Sequence, residues 1–144
     1  MNQQHRTDFY GWTRHQADLL RTKEFSKLDM DHLIEEIESM GNSERSRLRS
    51  HLKILLMHML KKSYQPEMAT VSWDLSIEGA NLEVQEIISE NPSLKPELKE
   101  ILIKSYSLSR INAAKETMLN IDIFPEECPW TLKDIFPDLE KKYW

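Results

Sequence analysis

Glycine and cysteine are both scarce in this chain, and no long apolar run is present. Its 144 residues include 3 glycines and a single cysteine, Cys128. One cysteine cannot form an internal disulfide, so we expect a reducing compartment, the cytoplasm. The longest apolar run, ILLMHML at 54–60, is far shorter than the roughly 20 residues that cross a bilayer. The opening stretch, MNQQHRTDFY, lacks the apolar core of a signal peptide, and we expect no membrane association.

A net positive charge and metal-binding motifs are also lacking. The formal net charge is −5, which argues against a dedicated nucleic-acid binder, because affinity for phosphate comes from clustered Lys and Arg. A closed structural zinc site needs several Cys and His ligands, and the sequence has no such cluster. No glycine-rich phosphate loop and no G-x-S-x-G motif occurs either. We therefore predict no metal and no cofactor.

Apolar residues recur at helical spacing from one end of the chain to the other, and β-branched clusters typical of strands are missing. We predict an all-α fold for residues 1–144, a single helical bundle of about five main helices plus a short C-terminal helix. The main helices are expected to begin near Asp8, around Ser26 to Asp29, and near Ser43, Pro66 and Ser93, and the short one near Pro129.

The stretch DHLIEEIESMG at 31–41 holds four carboxylates and ends at a glycine. On a helical wheel Asp31, Glu35 and Glu38 form one stripe beside an apolar arc, which consists of Met30, Leu33, Ile34, Ile37 and Met40. Gly41 is a good C-terminal cap, and Ser43 can start the next helix. The short GNS segment predicts an antiparallel hairpin, in which the acidic stripe faces the bases of the following helix.

His58 lies in the most apolar part of the chain, where a charged imidazole is costly. A core histidine with satisfied hydrogen bonds is one interpretation. The other is a polar cleft between the two helices of the hairpin. In such a cleft Glu35 or Glu38 would act as base or ligand, His58 as the acid–base partner and Lys61 as an anion contact.

Several segments resemble, in order, blocks of the bacterial family called "domain of unknown function 29". They are DFYGWTRHQADLLR at 8–21, LDMDHLIEEIESMGNSER at 28–45, LLMHMLKKSYQPE at 55–67, SW at 72–73, NPSLKPEL at 91–98 and FPEECPWTL at 124–132. The resemblance covers about 8–132 and implies an all-α fold without an assigned activity. It places the family's polar positions on Asp8, Glu35, Glu36, Glu38, His58 and Lys61, and its tryptophans on Trp12, Trp73 and Trp130. Family members often have a glycine where this chain has Met118.

Two classes of function follow from these observations. The first is a small intracellular helical module that binds another protein without catalysis, because no catalytic signature stands out. The second is an enzyme or a metal- or anion-binding site in the polar cleft. Its catalytic candidates are Glu35, Glu38 and His58, and the further binding candidates are Asp8, Glu36, Lys61 and Trp73. The sequence leaves the oligomeric state, the partner and any substrate open.

Overall fold

The computed structural model describes residues 3–139, and the all-α prediction is confirmed. The described part contains no β-strand. Its six helices are α1 (Gln4–Thr7), α2 (Phe9–Arg21), α3 (Met30–Tyr64), α4 (Val71–Glu90), α5 (Leu98–Thr117) and α6 (Leu132–Ile135). Short 3₁₀ turns lie at Phe25–Lys27, Pro66–Met68, Pro92–Glu97 and Ile121–Ile123. None of the described helices is long and apolar enough to cross a bilayer.

Three predicted helix starts lie at or beside prolines and are displaced in the structure. The short helix α6 begins at Leu132 and not near Pro129. Pro66 opens a 3₁₀ turn, and α4 begins only at Val71. Pro92 and Pro96 lie in a second 3₁₀ turn, and α5 begins at Leu98. The residue before a proline is disfavoured in the α conformation, so Pro96 keeps Lys95 out of a regular α-helix and α5 starts after it. At the other end of α5, Met118 adopts a left-handed conformation with φ 61°, the place where the resembling family often has glycine.

The predicted hairpin at Gly41–Ser43 is wrong, because α3 runs without a break from Met30 to Tyr64 over 35 residues. No glycine among the described residues has a positive φ, so Gly41 does not act as a left-handed cap. There are accordingly four long helices where about five were predicted, since two of the predicted helices are one.

The predicted pairing of the acidic stripe with bases of the next helix is also wrong. Asp31, Glu35 and Glu38 are exposed, and none of them forms an ion pair among residues 3–139. Two of the bases have other partners. Arg45 pairs with Glu97 at 3.1 Å. Arg47 pairs with its own neighbour Glu44 at 3.0 Å. Without a turn, the acids and bases follow one another along a single helix.

The chain divides into two compact units, Met1–Ser43 and Glu44–Trp144. In the N-terminal unit, Asp8 caps α2 by accepting a hydrogen bond from the Gly11 amide at 3.0 Å. Trp12 and Leu19 are the buried apolar residues of α2. Trp12 is therefore a core residue of this unit.

The core of the C-terminal unit is formed by side chains of α3, α4 and α5. Leu55, Leu56 and Leu60 are fully buried, as the apolar run ILLMHML predicts, while Ile54 on the outer face is exposed. They pack with buried residues of the other helices and of the C-terminal segment, which include Leu48, Leu52, Val84, Ile87, Leu98, Tyr106, Phe124 and Phe136. Trp73 and Trp130 are half-buried, and of the two only Trp130 packs against this cluster.

Replacing Gly41 by alanine tests the continuity of α3. Nothing lies within 4 Å of a Cβ added at Gly41. Alanine should therefore raise the free energy of unfolding by about 1 kcal/mol, since it reduces the backbone entropy of the unfolded chain and favours helix. Urea denaturation followed by circular dichroism measures the change.

Gly11→Ala is the matched control, because a Cβ at Gly11 would overlap the carboxylate of the Asp8 cap. We expect this change to lower the free energy of unfolding by about 1 kcal/mol, the usual worth of an N-cap. A destabilised Gly41→Ala variant would contradict the continuous helix.

Candidate functional site

A network of polar side chains surrounds Trp12 in the N-terminal unit. The Asp29 carboxylate accepts a hydrogen bond from the Trp12 indole at 2.9 Å and is bonded to Nδ1 of His32 at 2.7 Å. Gln16, which is 2% exposed, accepts a hydrogen bond from the Asp29 amide at 2.8 Å. Burial acts to raise the pKa of Asp29, but the hydrogen bonds from His32 and Trp12 outweigh it and the pKa is lowered. Asp29 thus joins α2 to the start of α3.

His5 extends this network to α1. Its ring stacks on His32, with the ring centroids 4.1 Å apart and the planes at 9°. Its Nε2 lies 2.6 Å from Oε1 of Glu36, one of the positions singled out by the family resemblance. Both histidine side chains are 14% exposed. Because each imidazole already has a carboxylate partner, the network serves to hold α1 and α2 on α3.

Lys61 is the centre of a second polar cluster, in the C-terminal unit. Its ammonium group donates to the Glu116 carboxylate at 2.7 Å and lies 4.4 Å from the centre of the Trp73 ring. That distance is within the range of a cation–π interaction. Lys61 is 8% exposed although lysine is rarely buried, and these two contacts explain why it is tolerated. An anion at this position would have to compete with Glu116.

His58 lies one turn before Lys61 on α3 and is half-buried. Its Nδ1 is buried and has no hydrogen-bond partner among the described residues, which differs from a core histidine whose hydrogen bonds are all satisfied. Burial lowers the pKa of His58, the Lys61 charge lowers it further, and Glu116 partly opposes both. The imidazole is therefore held in its neutral form.

The structure brings together some of the predicted site residues and leaves others apart. His58, Lys61 and Trp73 lie in one cluster, to which Glu116 is added. Asp8 serves as a helix cap, and Glu36 is paired with His5. The cleft predicted from Glu35, Glu38, His58 and Lys61 depended on the hairpin turn. It loses that basis, since no turn interrupts α3 between Glu38 and His58.

Sequence reasoning missed His5, Asp29, His32 and Glu116. The spacing of Asp29 and His32, three residues apart at a helix start, was a usable signal for their contact. Glu116 gave no such signal, because 55 residues separate it from Lys61. Among residues 3–139 no group of three or more His, Cys, Asp or Glu side chains is arranged to hold a metal ion.

An exposed apolar stripe follows the N-terminal half of α3. It consists of Met30, Ile34, Ile37 and Met40, each of which is between 48% and 70% exposed. All four belong to the apolar arc of the helical wheel. The acidic residues Asp31, Glu35 and Glu38 flank the stripe and are exposed as well. An apolar stripe of this kind on a helix is typical of a surface that binds another protein.

These features define a small all-α protein with an exposed apolar stripe on α3. The chain belongs to the family "Domain of unknown function DUF29", whose model matches residues 5–144. The resemblance inferred from the sequence blocks is thereby confirmed. Searches of curated proteins and of solved structures gave no match.

His58 gives a testable pH dependence. Its ordinary pKa is near 6.5, and the folded-state pKa is lower, so the unfolded chain binds the proton more readily. The stability of the folded state that depends on a neutral His58 is fully present above the unfolded pKa. It is lost as the pH falls through the folded pKa. In the wild type, the free energy of unfolding should fall as the pH is lowered from about 7.5 to 5. We expect a smaller fall in His58→Gln.

Urea denaturation at a series of pH values measures this slope. His15→Gln, which removes an exposed histidine of α2, is the control and should keep the wild-type slope. The assignment would be wrong if His58→Gln kept the full acid sensitivity of the wild type.

Proposed function

We propose that this protein is a protein–protein interaction module that binds its partner through the apolar stripe of α3. The observation that supports the proposal is the exposure of four large apolar side chains on one helix face. Covering the exposed half of such a side chain is worth about 1 kcal/mol. The four together therefore supply roughly 4 kcal/mol, a useful core for an interface that other contacts complete.

The charges beside the stripe indicate the chemistry of the partner. From Leu28 to Glu44 the chain contains no Lys or Arg, whereas Asp31, Glu35 and Glu38 are exposed and unpaired within residues 3–139. A complementary partner presents an apolar surface, such as an amphipathic helix, flanked by Lys or Arg. A second copy of this chain fits poorly, because an antiparallel pair of α3 stripes would bring the two acidic flanks together.

The alternative function, an enzyme or a metal- or anion-binding site built from Glu35, Glu38, His58 and Lys61, has less support. Glu35 and Glu38 are exposed on α3, and the Lys61 charge is already paired with Glu116.

A cytoplasmic location and a single functional domain over the whole chain remain part of the proposal. The free cysteine and the family match over nearly the full length support them.

The stripe can be disrupted without touching either core. Ile34→Asp/Ile37→Asp places two charges on exposed positions, so the variant should fold but lose its partner. Leu75→Asp/Leu82→Asp, at two exposed positions of α4, is the matched control. The wild-type protein serves as bait in native cells, and the captured protein is identified, purified and titrated against each variant.

We expect the stripe variant to weaken binding by at least about tenfold and the α4 variant to change it little. Glu35→Lys/Glu38→Lys should weaken binding as well, and added salt should slow association with the wild type. Equal binding by the wild type and the stripe variant would contradict the proposal, as would the failure of the wild type to capture any protein.

A further inference from the structure

A pocket of about 720 Å³ lies in the C-terminal unit between α5 and the segment 126–132. This volume is within the range of roughly 300–1,000 Å³ that is typical of small-molecule sites. The pocket is separate from the stripe of α3 and from the Lys61 cluster, and the proposed protein–protein contact does not use it.

The outer wall of the pocket is fixed by hydrogen bonds to α5. Arg110 donates to the carbonyl oxygens of Phe124 at 3.1 Å and Ile121 at 3.2 Å. The Tyr106 hydroxyl donates to the carbonyl oxygen of Pro125. Phe124 itself is buried in the core. The chain that carries residues 126–132 is thus anchored immediately before the pocket, which favours a cavity formed before any ligand binds.

The inner surface of the pocket is uncharged and largely apolar. Leu102 and Tyr106 of α5 are buried, and Trp130 and Leu132 of the opposite wall are half-buried. Burial raises the pKa of Tyr106 to about 12, and burial also raises the pKa of the Cys128 thiol. Both groups are therefore neutral near pH 7, and this surface suits the apolar body of a ligand.

The charged groups of the pocket are Glu126, Glu127 and Lys99, all of them exposed. None of the three forms an ion pair within the part of the chain that the structure describes. Two carboxylates and one ammonium leave the lining with an excess of one negative charge. A cationic head group complements that excess, whereas an anionic one would be repelled.

We propose that this pocket binds a small molecule with an apolar, aromatic or alkyl body and one cationic amine. The body lies against Leu102 and Trp130, and the amine is directed to the carboxylates of Glu126 and Glu127. The site is a binding site only, because no reactive group in it is activated. It stands independently of the interaction proposed for α3.

Two probes with the same body and opposite charge test the proposal, 4-phenylbutylamine and 4-phenylbutyrate. Fragments of this size bind in the millimolar range, so heteronuclear NMR titration of the intact chain is the suitable measurement. The amine should shift the amide signals of Ile103 and Trp130 and should bind at least about tenfold more tightly than the carboxylate.

Variants separate the role of the charges from that of the apolar wall. Glu126→Gln/Glu127→Gln should remove the preference for the amine, and Ile103→Ser, at an exposed position of the lining, should weaken both probes. Ile111→Ser, at an exposed position of α5 outside the lining, is the matched control and should bind both as the wild type does.

The proposal would be overturned if neither probe shifted signals of the pocket lining, or if the carboxylate bound as tightly as the amine. A preference for the amine that survived in Glu126→Gln/Glu127→Gln would also overturn it. The pocket lining contains no residue of the α3 stripe. Failure of the interaction proposal would therefore not change the result of this titration.

Discussion

The continuity of the α3 backbone through Gly41, Asn42 and Ser43 is the constraint on which the other features depend. These three residues together cost about 2 kcal/mol of helix propensity relative to alanine. Breaking the helix there would leave up to four amides and four carbonyls without intrahelical partners. Each lost hydrogen bond costs about 1 kcal/mol, so continuation is favoured unless packing stabilises a turn. The apolar residues that follow these three, Leu48 and Leu52, pack in the core of the C-terminal unit.

The exposed stripe is a direct consequence of that continuity. A hairpin would have covered Ile34 and Ile37 with the following helix and neutralised Glu35 and Glu38 with its bases. In the continuous helix, both the apolar and the acidic residues stay exposed. The same sequence pattern that predicted an internal interface therefore describes a surface for an external partner.

The sequence predicts most helical segments well and the contacts between them poorly. Periodicity identified the all-α class and the buried leucines 55, 56 and 60, because those depend on spacing within one helix. The prediction of a hairpin failed at Gly41. Glycine is a common residue at the end of a helix, but here the backbone hydrogen bonding of α3 continues through it. For the site, the family blocks pointed to His58, Lys61 and Trp73, but nothing local could reveal that Glu116 completes their cluster. Contacts between residues far apart in sequence are set by tertiary packing, which spacing alone does not encode.

Hydrogen exchange of the amides from Gly41 to Arg45 is the measurement that tests the continuous helix most directly. Each of these amides lies within α3, so we expect them to be protected to a degree similar to their neighbours in the same helix. A turn would free the amides that start a new helix from their intrahelical partners. Exchange at the rate of an unstructured chain confined to 41–45, with protected amides on either side, would contradict the account.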